Sequence, residues 1–338
     1  EYNNILTSWQ DNFKLFAEKP LYSIGYIEGF DDGSCRIFFA LHHLISDAVT
    51  MRIIVHDLNL LYTKLLSVSA VETILKQDSE QLLGCKGTSF RQWSEIIRNY
   101  SITNNDERIY WEKQLIGLSQ AQSYLESLVV SETTANYIEF ELEENLTTIL
   151  LTKTKEVYNA QINEILLSAF SLCLTEFTQN LSNYISMKGH GREDILNNLD
   201  VTNTIGWFAT LYPVKLTSYP ESLAKTIEHT KEYLKEIPYN GIGYGAIFGY
   251  DNRLPRICFD YVGQLNQNRE ISGWKLIRDN EIRGTSISSN NLEPNIIDVN
   301  SFVVNNQLIF KILTKLSKEE SRRFVEIFKN KLMLLVSF

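Results

Sequence analysis

The stretch Cys35-Arg36-Ile37-Phe38-Phe39-Ala40-Leu41-His42-His43-Leu44-Ile45-Ser46-Asp47 decides the reading of this chain. Asp31-Asp32-Gly33-Ser34 is a turn signal, and the β-favouring run from Cys35 to Leu41 that follows it predicts a buried strand ending at the two histidines. Beyond them, Met51, Ile54, Leu58, Leu61 and Leu65 recur at the spacing of one helical face, which predicts a helix from Thr50 to Leu66. Strand, polar loop and helix therefore follow in order, and the loop carries two imidazoles and a carboxylate. An imidazole titrates near neutrality and can move a proton, while Asp47 can hold the loop through an ion pair. Taken alone, these residues describe a satisfied strand end just as well.

Working outward, residues 90–115 predict two amphipathic helices joined by Ser101 to Asp106, and 117–134 a polar connector. A length of 338 residues exceeds what one hydrophobic core usually serves, so two lobes are expected, 1–130 and 131–338, with the boundary in that connector. Ile138, Phe140 and Leu142 alternate and predict a strand over 136–142. A long helix over 157–179 follows, with Ile162, Ile165, Leu166, Ala169, Cys173 and Phe177 on one face. A strand from Leu181 to Met187 then delivers a second polar loop, Gly189-His190-Gly191-Arg192-Glu193. A helix near 221–236, the glycine-rich run from Pro238 to Gly245, a strand from Arg256 to Val262 and a final helix opened by the Ser317/Glu320 capping box complete the pattern.

Composition excludes several function classes. A net charge of -9 without a basic stripe disfavours a nucleic-acid surface. No apolar run is long enough to span a membrane and no signal-peptide core opens the chain, so a cytoplasmic location is expected. The four cysteines at 35, 85, 173 and 258 are scattered and predict buried, reduced thiols. The five histidines show no metal-ligand spacing, and no metal is expected.

The loop motifs do not stand alone. HHxxxD after a core strand resembles the signature of the condensation and epimerization superfamily of nonribosomal peptide synthetases, with Ala48 where that signature has glycine. Lys188-Gly189-His190-Gly191-Arg192-Glu193 resembles the Glu-Gly-His-Gly-Arg-Glu run of epimerization domains, with Lys188 in place of the first glutamate; condensation domains generally have a shorter Ser-Gly-Arg type of motif there. Asn203-Thr204-Ile205-Gly206-Trp207-Phe208-Ala209 to Pro213 is similar to RTVGWFT…P, the run from Pro238 to Gly245 to PxxGxGYG, and Phe259-Asp260-Tyr261-Val262-Gly263-Gln264 to FNYLGQ. The likeness runs from about residue 20 to the end.

The resemblance implies an α+β, two-lobed chloramphenicol-acetyltransferase-like fold, each lobe a mixed sheet with flanking helices and the active site in a cleft or tunnel between lobes. It implies an isomerase that inverts the α-carbon, L to D, of an aminoacyl or peptidyl thioester. That thioester hangs on the phosphopantetheine arm of an upstream peptidyl carrier protein; a downstream condensation domain is the other expected partner, and the domain has no cofactor of its own. It implies that His43 and Glu193 are the acid/base pair and that Tyr261 is a bordering donor or proton relay. His42, Asp47, Arg192 and Asp260 are expected in supporting roles, and Gly189, His190, Trp207, Gly243 and Tyr244 near the substrate or the carrier arm. The family asparagine is Asp260 here, a carboxylate that repels an enolate unless protonated or turned away. A peptide-bond-forming condensation domain and a noncatalytic carrier-docking domain are the alternatives. Family members have a longer stretch before the histidine motif, so a chain starting at Glu1 is expected to expose a sheet edge and apolar surface in its first lobe.

Overall fold

A computed structural model describes residues 2–16, 19–67, 76–195, 199–249, 253–264, 284–288 and 290–336. The chain divides into two compact units. One comprises Glu1–Ser94, Leu196–Phe208 and Arg269–Asn291, and the other Glu95–Ile195, Ala209–Asn268 and Leu292–Phe338. The division thus falls at Ser94/Glu95 rather than in the 117–134 connector, and a short segment after Ile195 returns to the first unit.

In the first unit, helix α1 (Tyr2–Asp11) packs on an antiparallel pair, β1 (Tyr22–Ile27) and β2 (Arg36–Leu41), in the register Tyr22↔Leu41 to Ile27↔Arg36. Trp9 lies on one face of the pair, 5.8 Å from the Phe38 ring, and a Cβ at Gly25 would overlap its indole. Tyr22, Ile24 and Tyr26, alternate residues of β1 on the other face, are exposed. The strand expected over 35–41 is β2, half-buried rather than buried, with only Ala40 of its residues fully covered, and the helix expected from Thr50 is α2 (Ala48–Leu66).

The second unit is built on a sheet ordered β3-β8-β7-β6-β4-β5 among the described residues. Its strands are β3 (Asn136–Glu141), β4 (Ser182–Gly189), β5 (Thr210–Thr217), β6 (Ile257–Gln264), β7 (Ile297–Val304) and β8 (Gln307–Thr314). β4, β6 and β7 are parallel neighbours and the other pairings are antiparallel. Two helices, Ile162–Thr178 and Lys318–Leu334, bury a continuous aromatic core with the sheet. Phe170 lies 5.0 Å from Phe259 and 5.5 Å from Phe328, and Phe328 lies 5.2 Å from Phe310. Each such fully buried side chain contributes roughly 1.5–3 kcal/mol of apolar transfer energy. Ser317 caps the last helix by accepting from the Glu320 N–H at 3.1 Å, as its sequence predicts.

Three sequence expectations change. The helix expected over 157–179 begins at Ile162, because Asn159 takes a left-handed conformation (φ 46°) and the Gln161 N–H donates to Glu164 Oε2 at 2.7 Å, starting a new helix. The 117–134 connector contains a helix, Leu118–Ser127, entered through left-handed Gly117 (φ 88°). The glycine-rich run from Pro238 to Gly245 forms a tight turn followed by the helix Ile242–Phe248. Of the cysteines, Cys173 and Cys258 are buried, but Cys35 and Cys85 are exposed. Among the described residues, no helix is long and apolar enough to cross a membrane.

Candidate functional site

The HHxxxD loop is built by local capping. His42 ends the strand with extended backbone, and its Nδ1 accepts the Leu44 N–H at 3.1 Å, which fixes the ring proton on Nε2. His43 opens the turn His43–Ile45 and is exposed, its ring 5.1 Å from that of Trp207. Asp47 is buried and caps α2: its Oδ1 accepts the Thr50 N–H at 2.7 Å and its Oδ2 accepts the Phe208 N–H at 3.2 Å. Ala48 is the first residue of the helix, so its methyl is accommodated on ordinary helical backbone and the departure from glycine carries no strain.

The Gly206-Trp207-Phe208 segment is joined to this loop from 156 residues away. Thr50 Oγ1 donates to the Gly206 carbonyl at 2.9 Å, and the Gly206 N–H lies 3.2 Å from the same hydroxyl. Phe208 packs on Phe90 (5.0 Å) and Trp93 (5.8 Å), and a Cβ at Gly206 would overlap the Phe90 ring. Within the first unit, Trp207 thus lies beside His43, on a segment held to the loop by Asp47 and Thr50.

In the second unit, the GHGRE and FDYVGQ motifs sit at or just beyond the C-terminal ends of the adjacent parallel strands β4 and β6, where open α/β sheets characteristically present ligand sites. Gly189 ends β4, and a Cβ there would lie 2.6 Å from Thr210 Oγ1. After it, Gly191 is left-handed (φ 66°) and turns the chain so that the Arg192 N–H donates to His190 Nδ1 at 3.0 Å. The His190 proton is therefore on Nε2, which faces Glu193 Oε1 at 3.3 Å. The other oxygen, Oε2, accepts from Asn240 Nδ2 at 2.9 Å. Glu193 is 14% exposed and His190 57%, so the carboxylate is set inward behind a solvated ring.

The two departures from the epimerization pattern in this unit meet each other. Lys188 Nζ is 3.5 Å from Asp260 Oδ2 and 3.4 Å from Asn300 Oδ1, across the three parallel strands. Asn300 in turn donates to Asp298, which also accepts from Asn295 at 3.0 Å. Burial works against the Lys188 ammonium, but Cys258, Asp260 and Asp298 outweigh it and its pKa stands above the ordinary value. Burial raises the pKa of Asp260 more than Lys188 lowers it. The Asp260 carboxylate is thus turned onto a cation.

Tyr261 is the next residue along β6 and points to the opposite face from Asp260, against the partly buried edge of the aromatic core. Burial raises its phenol pKa, so the hydroxyl stays protonated at neutral pH and can act as a donor, not as a base. A bulge between Tyr261 and Gln264, with Gly263 at φ 99°, ends the regular pairing there.

Gly243 and Tyr244, expected near the substrate or the carrier arm, lie in the core. Tyr244 is fully buried, 5.4 Å from Trp111 in edge-to-face contact. A Cβ at Gly243 would overlap the carboxylate of Glu107. That buried glutamate accepts from Trp111 Nε1 at 3.0 Å and from the Tyr100 hydroxyl. The glycine spacing in PxxGxGYG is therefore explained by close packing on an internal carboxylate, and sequence reading alone missed Glu107.

The family model described as "Condensation domain" matches residues 3–267. This chain belongs to the condensation domain family. Among curated relatives of this condensation-family domain, the N-(5-amino-5-carboxypentanoyl)-L-cysteinyl-D-valine synthase of Amycolatopsis lactamdurans is 31% identical over 336 residues, covering 98% of the chain. Its counterpart in Penicillium rubens is 30% identical over 330 residues, covering 96%. The domain spans only 9% and 8% of the length of those two synthases. Among solved structures, the epimerization domain from the third module of tyrocidine synthetase B matches with a TM-score of 0.77 at 23% identity, covering 99% of this chain and 76% of that one. The fold is thus the two-lobed chloramphenicol-acetyltransferase-like fold of condensation and epimerization domains.

Proposed function

We propose that this domain epimerizes the α-carbon of an aminoacyl or peptidyl thioester carried on the phosphopantetheine arm of a carrier protein. The observation that carries the reading is the GHGRE loop, whose histidine and two glycines set Glu193 beside His190 and within hydrogen-bond reach of Asn240 as an inward-set carboxylate. Two relatives named as synthases of a D-valine-containing product agree with it.

The chemistry follows from the substrate. A thioester acidifies the α-proton more than an amide does, and removing that proton breaks the C–H bond and moves its electron pair into an enolate. Returning a proton to the opposite face of the planar carbon forms the inverted C–H bond, with no net change in oxidation state. One group is needed on each face; His43 and Glu193 fill those roles, one carrying a proton when the other does not. Each is worth about 10²- to 10⁴-fold in rate. The protonated Tyr261 phenol serves as a donor to developing charge, and Lys188 cancels the Asp260 carboxylate, so the exchange of asparagine for aspartate is compatible with an enolate nearby. Peptide-bond formation is the second reading, supported by the description of the matching family model. The upstream carrier protein and a downstream condensation domain are the partners this function requires.

The test is product configuration. The domain, in its synthetase context, is incubated with its loaded carrier protein, the thioester is cleaved, and the amino acid is resolved on a chiral column. A mixture of L and D residues on a chain of unchanged length supports epimerization; a lengthened chain with configuration retained supports condensation and overturns it.

A further inference from the structure

We infer that Asn240 is a positioning residue for Glu193, presented by a deliberately left-handed turn; the inference deepens the epimerization reading and rests on it for its catalytic consequence. Asn240 occupies a variable position of the PxxGxGYG pattern, so nothing in that pattern assigns it a role. Three consecutive residues, Tyr239 (φ 40°, ψ 44°), Asn240 (φ 48°, ψ 38°) and Gly241 (φ 81°, ψ 8°), are left-handed. For a residue with a Cβ, this region costs roughly 1–2 kcal/mol, and asparagine tolerates it better than most. Such a conformation persists only where the surroundings impose it. Here a Cβ on Gly241 would overlap the Tyr212 ring, the Asn240 carbonyl lies where a Cβ on Gly189 would be 3.2 Å away, and the Tyr239 ring meets that of Tyr100 edge-on at 6.4 Å.

The result is an amide whose Nδ2 donates to Glu193 Oε2 at 2.9 Å, while Oε1 lies 3.3 Å from His190 Nε2 without an aligned hydrogen bond. The Asn240 amide is thus the hydrogen-bond donor that the described residues supply to this carboxylate. The arrangement anchors one carboxylate oxygen and so orients the other toward the loop. The groups facing Glu193 are His190 from its own loop, Asn240 from the left-handed turn and the Tyr212 phenol from β5, whose pKa burial raises and Glu193 raises further. Arg192 and Asp194 flank it along the chain.

The test uses Asn240→Gly and Asn240→Asp in the full chain. Glycine keeps the left-handed turn at no steric cost and removes only the amide; aspartate keeps the shape and sets a second carboxylate against Glu193. The side-chain carboxyl of Glu193 is titrated by NMR of ¹³C-glutamate-labelled protein, assigned with Glu193→Gln, and α-proton exchange from the carrier-bound thioester is followed against pH in parallel. Losing a donor to a carboxylate shifts its titration up by about half to one unit, and a facing carboxylate by about one unit or more. Glu193 titrating higher in Asn240→Gly and higher still in Asn240→Asp, with the acid limb of the exchange profile moving with it, supports the assignment. Unshifted Glu193 titration in both variants overturns it. Shifted titration with no exchange in the unmodified domain leaves the positioning role standing and removes the epimerase reading instead.

Discussion

Replacing Lys188 by glutamate restores the residue that epimerization domains carry, yet in this chain it should be harmful on its own. The Lys188 Nζ–Asp260 Oδ2 separation is 3.5 Å, with side-chain exposures of 40% and 22%. At an effective dielectric of about 20, two unit charges at that distance interact by roughly 4–5 kcal/mol. Solvent screening and side-chain ordering at this exposure leave about 1 kcal/mol net. Lys188→Glu turns that attraction into a repulsion of similar size, so the variant loses about 2 kcal/mol at neutral pH. Asp260→Asn in the same chain removes the repulsion and recovers about half of the loss.

The pH dependence has a definite sign. Burial already holds the Asp260 pKa above its ordinary value of 3.8, and a facing glutamate raises it further. A carboxyl whose folded pKa exceeds its unfolded value favours the folded state fully below the unfolded value and loses that advantage as pH rises through the folded one. The Lys188→Glu defect should therefore shrink on acidification toward pH 4 and grow toward neutrality. A double-mutant cycle by urea unfolding, followed by tryptophan fluorescence at two pH values, measures it. A coupling of about 1–2 kcal/mol at neutral pH is expected. Additive single substitutions, within about 0.3 kcal/mol, would mean that the two departures are independent and that the pairing is energetically idle.

Asp47→Ala removes the α2 cap and leaves the Phe208 N–H without that acceptor, and should cost about 2–3 kcal/mol in thermal or urea unfolding, whereas Asp47→Asn, which keeps a capping oxygen, should cost clearly less. Gly243→Ala pushes a methyl into the Glu107 carboxylate, which Trp111 and Tyr100 hold in place; a loss of about 1–3 kcal/mol is expected, and a melting temperature equal to that of the parent would refute the packing account of the glycine motif. Glu132 is pulled down to about 2, from an ordinary 4.5, by hydrogen bonds from Arg256 and from the buried Lys315, each at 2.7 Å. Its contribution is present above pH 4.5 and is lost as pH falls toward about 2, so Glu132→Gln should cost about 1 kcal/mol at pH 7 and progressively less below pH 4.5, read from the pH dependence of unfolding.

The parts of this structure that a reader can take from the sequence are those fixed locally. The strand before His42, the cap at Asp47 and the apolar spacing of α2 lie within one short stretch, and each constrains the next. The hairpin of β7 and β8 is local as well: Asn305 and Asn306, both left-handed at φ 48° and 63°, are a turn signal that the sequence reading passed over. The helix Leu118–Ser127 was hidden by its serines and glutamines, although Leu118, Gln122 and Leu125 keep a helical spacing and are buried. β5 was obscured by Pro213, which is tolerated because β5 is an edge strand of the sheet among the described residues. What no local pattern reports is which distant residue completes a site. Glu107 is buried because Gly243 makes room for it, Glu193 is held because Asn240 reaches it, and Lys188 is answered by Asp260 only once β4 and β6 lie side by side.

The most direct test of the central claim is incorporation of solvent deuterium at the α-carbon of a carrier-bound aminoacyl or peptidyl thioester in D₂O, measured by mass spectrometry for the parent domain, His43→Ala and Glu193→Gln. The account predicts exchange with inversion in the parent, and a fall of about 10²-fold or more in each variant while its unfolding transition is preserved. No exchange in the parent with its loaded carrier, or exchange that survives both substitutions, would contradict it.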